Sequence, residues 1–362
     1  MRIRTVLKNR LRPLLYGRYV LKRFRKRIAG SWIFAYRPKN GQVMSLEAAK
    51  QAPYPLSTLF FFGAIANSLI GFIPFGLQLY RFCYQLAYQG ERYAYLPLVL
   101  SGSRYMLLIN DPRSVVVPGD TQEFKKNLPS KLASTCDAIF DVGANHGSFS
   151  CAALSLALDR HNSPPSVWAF EPNPQLRYPL LINMTYFGAS TARVITSIVG
   201  SAGEEDSPFF VDPKSSGSSR KVRANETLVA EQGEVIIART VALDDYTQDV
   251  RGKIFLKVDV EGSELDVLRG GTRFLRMLKP IIFMEVSIRA PDAVSGNTDY
   301  RVAELVNILA YCGYTRFVDQ NSRNASELQT LTRHSRTANI LTWHQSCELD
   351  IQATLNRRKG DG

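Results

Sequence analysis

The sequence predicts an α/β fold: a doubly wound, mostly parallel sheet of Rossmann-like type, preceded by a helical extension that is first basic and then apolar. Three observations predict it. From about residue 135, short apolar runs alternate with segments of helix length, the pattern of a parallel sheet with helices on both faces. The runs are largely apolar, as strands covered on both sides are. The first of them ends in a glycine turn, Gly143-Ala-Asn-His-Gly147, that opens a helix.

The elements follow in order. Residues 138–142 give a first strand and 150–158 a helix. Residues 166–170 give a second strand, ending at Glu171-Pro172, and 175–187 another helix. A third strand is predicted over 193–199. The polar stretch after it includes 214–220, expected as a mobile loop. Residues 234–241 predict a further strand. Residues 253–258 and 280–286 read as buried strands, joined by one helix over 264–277. Upstream, 95–100 and 105–109 read as strands leading into the main domain.

The first chemical constellation is strand, glycine turn, helix. Gly143 and Gly147 let the backbone turn sharply and approach a ligand closely. Glu171 ends the next strand, where an acid accepts hydrogen bonds from ribose hydroxyls. Two ligands compete for such a site. A dinucleotide wants G-x-G-x-x-G, which brings its pyrophosphate to the helix N-terminus. Here the spacing is G-x-x-x-G with Asp141 before it. That arrangement favours a nucleoside with an amino-acid tail, S-adenosylmethionine, whose ammonium can pair with a carboxylate.

The second constellation is Leu256-Lys-Val-Asp-Val-Glu-Gly-Ser-Glu264. A buried strand ends in Asp259 and Glu261, and ligands of open parallel sheets bind outside the carboxyl ends of the strands. Either acid can orient a substrate hydroxyl or take its proton. Ser263 reads as the cap of the following helix, with Glu264 in its first turn. Glu285 closes another apolar run, fitting either a substrate-side role or a structural acceptor.

These residues resemble the FkbM family of methyltransferases. The resemblance rests on Phe140-Asp-Val-Gly-Ala-Asn-His-Gly-Ser-Phe-Ser150, Ala169-Phe-Glu-Pro-Asn173, Leu243-Asp-Asp-Tyr246, Leu256 to Glu264 with Leu268-Arg-Gly-Gly271, and Ile282-Phe-Met-Glu285. It covers about residues 135–290. It implies a class I methyltransferase fold and O-methylation of a hydroxyl on a sugar, glycan, lipid or other natural product. Carried over residue by residue, Asp141, Gly143, Asn145, Gly147 and Glu171 hold the cofactor S-adenosylmethionine. Residues 199–202 lie near the adenine, and Asp259 and Glu261 lie at the transfer site. His146 falls at a variable place and carries no catalytic role. Residues 201–234 match the family poorly, and such inserts often shape substrate pockets. The rival readings are a nucleotide-binding oxidoreductase and a non-catalytic, membrane-associated binding module.

Composition bounds the rest. The 362 residues are 45% hydrophobic and 21% charged, enough for a large core and outside the disordered class. The net charge of +13 belongs to the first 50 residues, which hold 14 Lys/Arg and one acid, Glu47. The remainder is neutral, with 31 basic and 31 acidic side chains. A nucleic-acid enzyme spreads basic residues around its cleft, so no nucleic-acid partner is expected. A basic arm suits an anionic membrane surface or stays a solvated tail.

Residues 51–80 carry no charge, and 56–73 approach spanning length. Asn67 and the following Pro74 interrupt a clean span, and no signal-peptide cleavage site follows. A cytosolic cosubstrate requires the domain to stay inside, so residues 1–80 are expected to touch a membrane only from its cytoplasmic face, or to fold as a small subdomain. The expected organisation is a basic arm over 1–50, an apolar segment and lead-in over 51–110, a methyltransferase domain over 111–345 and a tail over 346–362. The five cysteines are scattered without a CxxC pair, which argues against a zinc site or a disulfide framework.

Overall fold

Two antiparallel strands come first: β1 (Tyr95–Leu100) and β2 (Ser103–Leu108). Their register runs from Tyr95 opposite Leu108 to Leu100 opposite Ser103. The structure, a computed structural model, describes residues 95–100, 103–108, 111–160, 163–201, 203, 206–212, 215–222, 233–286, 300–319, 324–333, 337–347 and 351. The basic arm (1–50) and the uncharged stretch (51–80) lie outside the described residues. Among the described residues no helix is long and apolar enough to cross a membrane. The chain divides into two compact units, Met1–Val115 and Val116–Gly362. In the first, the Asp111 carboxylate accepts the Arg113 amide at 3.0 Å.

The second unit opens with α1 (Val117–Phe124) and α2 (Leu128–Ala133), each with a proline in its first turn, where the missing N–H costs nothing. Then β3 (Ala138–Val142) leads into α3 (Ser148–Asp159), and β4 (Ser166–Phe170) into α4 (Arg177–Tyr186). Next come β5 (Ala192–Ile195), β6 (Ile198–Val199), β7 (Ser207–Val211), β8 (Arg220–Lys221), β9 (Glu234–Ala238) and β10 (Thr240–Val241). The unit continues with β11 (Ile254–Val258), α5 (Glu264–Arg269), α6 (Thr272–Leu278) and β12 (Ile281–Val286). It closes with α7 (Tyr300–Tyr311), β13 (Tyr314–Asp319), β14 (Ser326–Glu327) and β15 (Ala338–His344).

The main sheet has the order β14-β13-β15-β12-β11-β3-β4-β5. The run β12-β11-β3-β4-β5 is parallel, and β15 inserts antiparallel between β12 and β13. This is a mostly parallel, doubly wound sheet. On one face Phe149 of α3 stacks on Phe255 and Phe283. On the other, Phe140, Trp168 and Phe170 pack with Tyr246 and Phe274 in a core that includes Val267 and Leu268 of α5 and Leu305 and Leu309 of α7.

The structure corrects four expectations. The strand predicted over 193–199 is two. After Ile195 the chain leaves the main sheet, and the Ile198 amide bonds Arg239 at 2.8 Å, so that β6 pairs with β10. Ile198 is then buried with Phe209, Val211 and Ala238 in a core of its own. The strand predicted over 234–241 also splits, because β9 joins the antiparallel sheet β8-β7-β9 while β10 pairs with β6. The helix predicted over 264–277 breaks at Gly270-Gly271. A Cβ on Gly270 would overlap the Gly200 carbonyl, and Asp244 caps the second helix by accepting the amides of Arg273 and Phe274 at 3.2 and 2.7 Å. The stretch 214–220, expected as a loop, carries a 3-10 turn at Ser216–Ser218 and the start of β8, held by buried Ser216 and by the Asp212 amide on Ser219 Oγ at 3.0 Å.

Candidate active site

The C-terminal ends of β3, β4 and β11 bring six of the seven candidate residues into two bonded groups, Asp141, Gly143, Gly147 and Asp259 in one and Asn145 with Glu171 in the other. At the end of β3, Gly143 and Gly147 take φ of +76° and +84°, and Asn145 between them +52°. Glycine adopts that region freely, while Asn tolerates it better than most residues. All five amides of the loop donate within the protein. Gly143 and Ala144 donate to the Phe170 carbonyl, and Gly147 to Ala144. Asn145 donates to Glu171 Oε2 at 2.9 Å, and His146 to the Asn145 side chain at 2.8 Å. A pyrophosphate would find no donor among them.

Glu171 stands at the end of β4 with its side chain buried. Its second oxygen accepts the Asn173 amide at 2.9 Å. Burial pushes its carboxyl up to about 7, against the pull of those two amides and of Lys257. Each carboxylate oxygen carries a further lone pair.

Asp141 is fully buried at the foot of the loop. Ser150 Oγ of α3 donates to its Oδ2 at 2.7 Å, and the Lys257 ammonium stands 3.3 Å from its Oδ1. Lys257 continues to Asp259 Oδ2 at 3.3 Å and donates to the Gly143 carbonyl at 2.7 Å. Burial draws this lysine down, but Asp259 and Asp141 together outweigh it and hold it above its ordinary value.

Asp259 follows β11 with 43% of its side chain exposed. The exposed Glu261 sits two residues on in left-handed geometry, φ +52°. Glu264 turns back to accept the Gly262 amide at 2.8 Å, while Arg301 of α7 donates to the Gly262 carbonyl at 2.6 Å. Ser263, expected to cap the helix, makes no side-chain cap. Burial raises Glu264 to about 7. Glu285 of β12 lies opposite Asn339 of β15 and is also raised, first by burial and then by Asp259.

Sequence reasoning passed over Lys257, Ser150, Asn173, Ser216 and Arg301. The visible signal was a lysine inside the apolar run 254–258. Ser216 exchanges two hydrogen bonds with the Asn145 side chain, at 2.9 and 3.1 Å, and so ties the poorly matched insert to the glycine loop. Buried His146 is held through its carbonyl, which accepts Asn183 Nδ2 at 3.0 Å. Among the described residues no group of His, Cys, Asp and Glu could hold a metal ion.

Residues 141–316 match the family model described as the Methyltransferase FkbM domain. The hexuronic acid methyltransferase AglP of Haloferax volcanii is 29% identical over 148 residues, which are 40% of this chain and 54% of that protein. The chain therefore spans about half the length of this curated relative. Among solved structures, a methyltransferase FkbM from Methylobacillus flagellatus is similar at 18% identity and TM-score 0.35, over 75% of this chain and 60% of that one. A precorrin-6y C5,15-methyltransferase from Geobacter metallireducens is similar at 16% identity and TM-score 0.30, over 65% and 90% of the two chains.

Proposed function

We propose, from the premise that residues 141–316 form an FkbM methyltransferase domain, that this chain transfers the methyl group of S-adenosylmethionine to a hydroxyl oxygen of a sugar, a hexuronic acid or a related acidic glycan unit foremost. The observation that carries the reading is the pairing of two walls at the sheet's C-terminal edge. One is a glycine loop joined to a buried glutamate, and the other is a half-exposed aspartate.

The residues fit that cofactor on two counts. The loop amides are spent inside the protein, which suits an uncharged ribose better than a pyrophosphate and weighs against the oxidoreductase alternative. The free lone pairs of Glu171 suit two ribose hydroxyls. Gly143, Asn145 and Gly147 shape the loop against the nucleoside, and Asp141 supports it from beneath. When bound, S-adenosylmethionine supplies an electrophilic methyl group on a positively charged sulfur.

The chain's own residues do the rest. Transfer of this kind is an in-line displacement, and holding donor and acceptor in line removes much of the barrier. Asp259 accepts the proton of the acceptor hydroxyl as its oxygen is alkylated, then releases it to water. Glu261, exposed on the same loop, orients the acceptor. The sugar class is supported by the hexuronic acid named for the Haloferax volcanii relative.

The test is transfer of a labelled methyl group from S-adenosylmethionine to glucuronic acid, galacturonic acid and their glycosides, with a glycan fraction alongside. A labelled ether on a sugar hydroxyl is expected. Binding of S-adenosylmethionine with label appearing only in non-hydroxyl acceptors overturns the O-methylation reading, and absence of binding overturns the cofactor.

A further inference from the structure

A lysine inside a buried strand demands a reason, because an unpaired buried ammonium is strongly destabilising. Lys257 lies opposite Asp141 on β3 and Phe283 on β12, and its head group is almost wholly enclosed. Its ammonium donates a hydrogen bond to the Gly143 carbonyl at 2.7 Å and stands in ion-pair range of Asp141 Oδ1 and Asp259 Oδ2, each at 3.3 Å.

Neutralising Asp141 would need only one of these contacts. The shortest of the three goes instead to a peptide carbonyl in the glycine loop. That peptide is gripped from its other side as well, since its N–H, the Ala144 amide, bonds the Phe170 carbonyl at 3.0 Å. On the other wall, Asp259 is joined to β3 by its own amide, which bonds the Val142 carbonyl at 3.0 Å. Lys257 thus reaches both walls of the site.

We propose that Lys257 is a positioning residue, which fixes the Gly143 peptide and the Asp259 carboxylate relative to each other. Held at Oδ2, the carboxylate presents Oδ1 toward an acceptor. Held at its carbonyl, the loop keeps one conformation against the donor. This role rests on the reading of the site given under Proposed function, and the measurements separate the two.

Removing Lys257 alone strands the buried charge of Asp141, so the informative comparison is made with that charge removed. Asp141→Asn is compared with Asp141→Asn/Lys257→Met and with Asp141→Asn/Lys257→Arg. Amide hydrogen exchange, with no ligand present, is followed across residues 138–170. Removal of the lysine is expected to speed exchange in 143–147 at least tenfold and to leave β3 and β4 unchanged, with Arg restoring most of the protection. Exchange that is unchanged in 143–147, or that rises uniformly over the sheet, overturns the proposal.

Calorimetric titration adds the ligand side. S-adenosylhomocysteine is the probe, because its sulfur is uncharged and the loss of a lysine leaves its attraction to the site little altered. Its affinity is expected to fall about tenfold on removal of the lysine and to return to within about threefold with arginine. Affinity that is the same with and without the lysine overturns the positioning role. Absence of binding to the unaltered chain overturns the functional reading instead, and the exchange result still decides the role of Lys257.

Discussion

Gly143 lies so close to the backbone of Asp259 that a Cβ on the glycine would overlap the Asp259 carbonyl oxygen. The two walls of the site therefore touch through main chain, and the contact tolerates no side chain. Gly143→Ala is expected to cost about 3 kcal/mol or more, combining left-handed strain with the overlap. Gly203 supplies the control. It has nearly the same φ, +75°, but a Cβ there would meet nothing within 4 Å, so Gly203→Ala is expected to cost about 1 kcal/mol. Urea unfolding of the two variants measures the difference, and equal losses would falsify the close-approach account.

Glu171 and Glu264 make the chain's stability depend on pH. Both carboxyls sit at about 7 in the folded protein against an ordinary 4.5, chiefly through burial. A folded value above the unfolded one means that the folded state binds more protons between the two. The stabilising contribution is then fully present below about 4.5 and lost as pH rises through about 7. Glu171→Gln should remove its share of this slope, on the order of 1 to 3 kcal/mol across the window. Urea midpoints at pH 5 and pH 8 report it, and a slope that survives the substitution places the proton elsewhere.

Asp259→Asn removes the proposed proton acceptor and keeps its shape. Turnover at saturating donor is expected to fall by about 10² to 10⁴, while donor affinity changes by no more than about threefold. Glu261→Gln, if Glu261 only orients the acceptor, should act mainly on the acceptor KM. Unchanged turnover in Asp259→Asn takes that carboxylate out of the reaction.

Ser216→Ala cuts both hydrogen bonds to Asn145. A loss of about 1 kcal/mol is expected, together with weaker protection of the Asn145 amide and a several-fold rise in donor Kd. A stability loss without any change at Asn145 means that the insert is fastened elsewhere.

The parallel strands were legible because burial on both faces leaves an apolar run, and their ends were legible because acids follow it. Where the chain changes partners, nothing marks it. The β-forming pattern continues through Thr196 and Arg239 although the strands stop there, because the choice between two sheets is made by tertiary packing. Lys257 drew no role of its own, since the register that sets it opposite Asp141 is not written in the local sequence. Asp244 read as part of a motif, and its work as a cap lies 29 and 30 residues along the chain. The glycine loop and Glu171 were found because their roles depend on backbone geometry and strand position, both of which the sequence carries.

The antiparallel β15 is the last described strand in sequence, yet it stands between β12 and β13. During synthesis β12 therefore leaves the ribosome well before the strand that covers its edge. Until residue 344 has cleared the exit tunnel, the nascent sheet presents an apolar, unpaired border. Completion of the core is in this sense a late event, governed by translation of a segment far from the glycine loop. A chain stopped short of that point would carry every residue proposed for catalysis and still be exposed to mispairing with its neighbours.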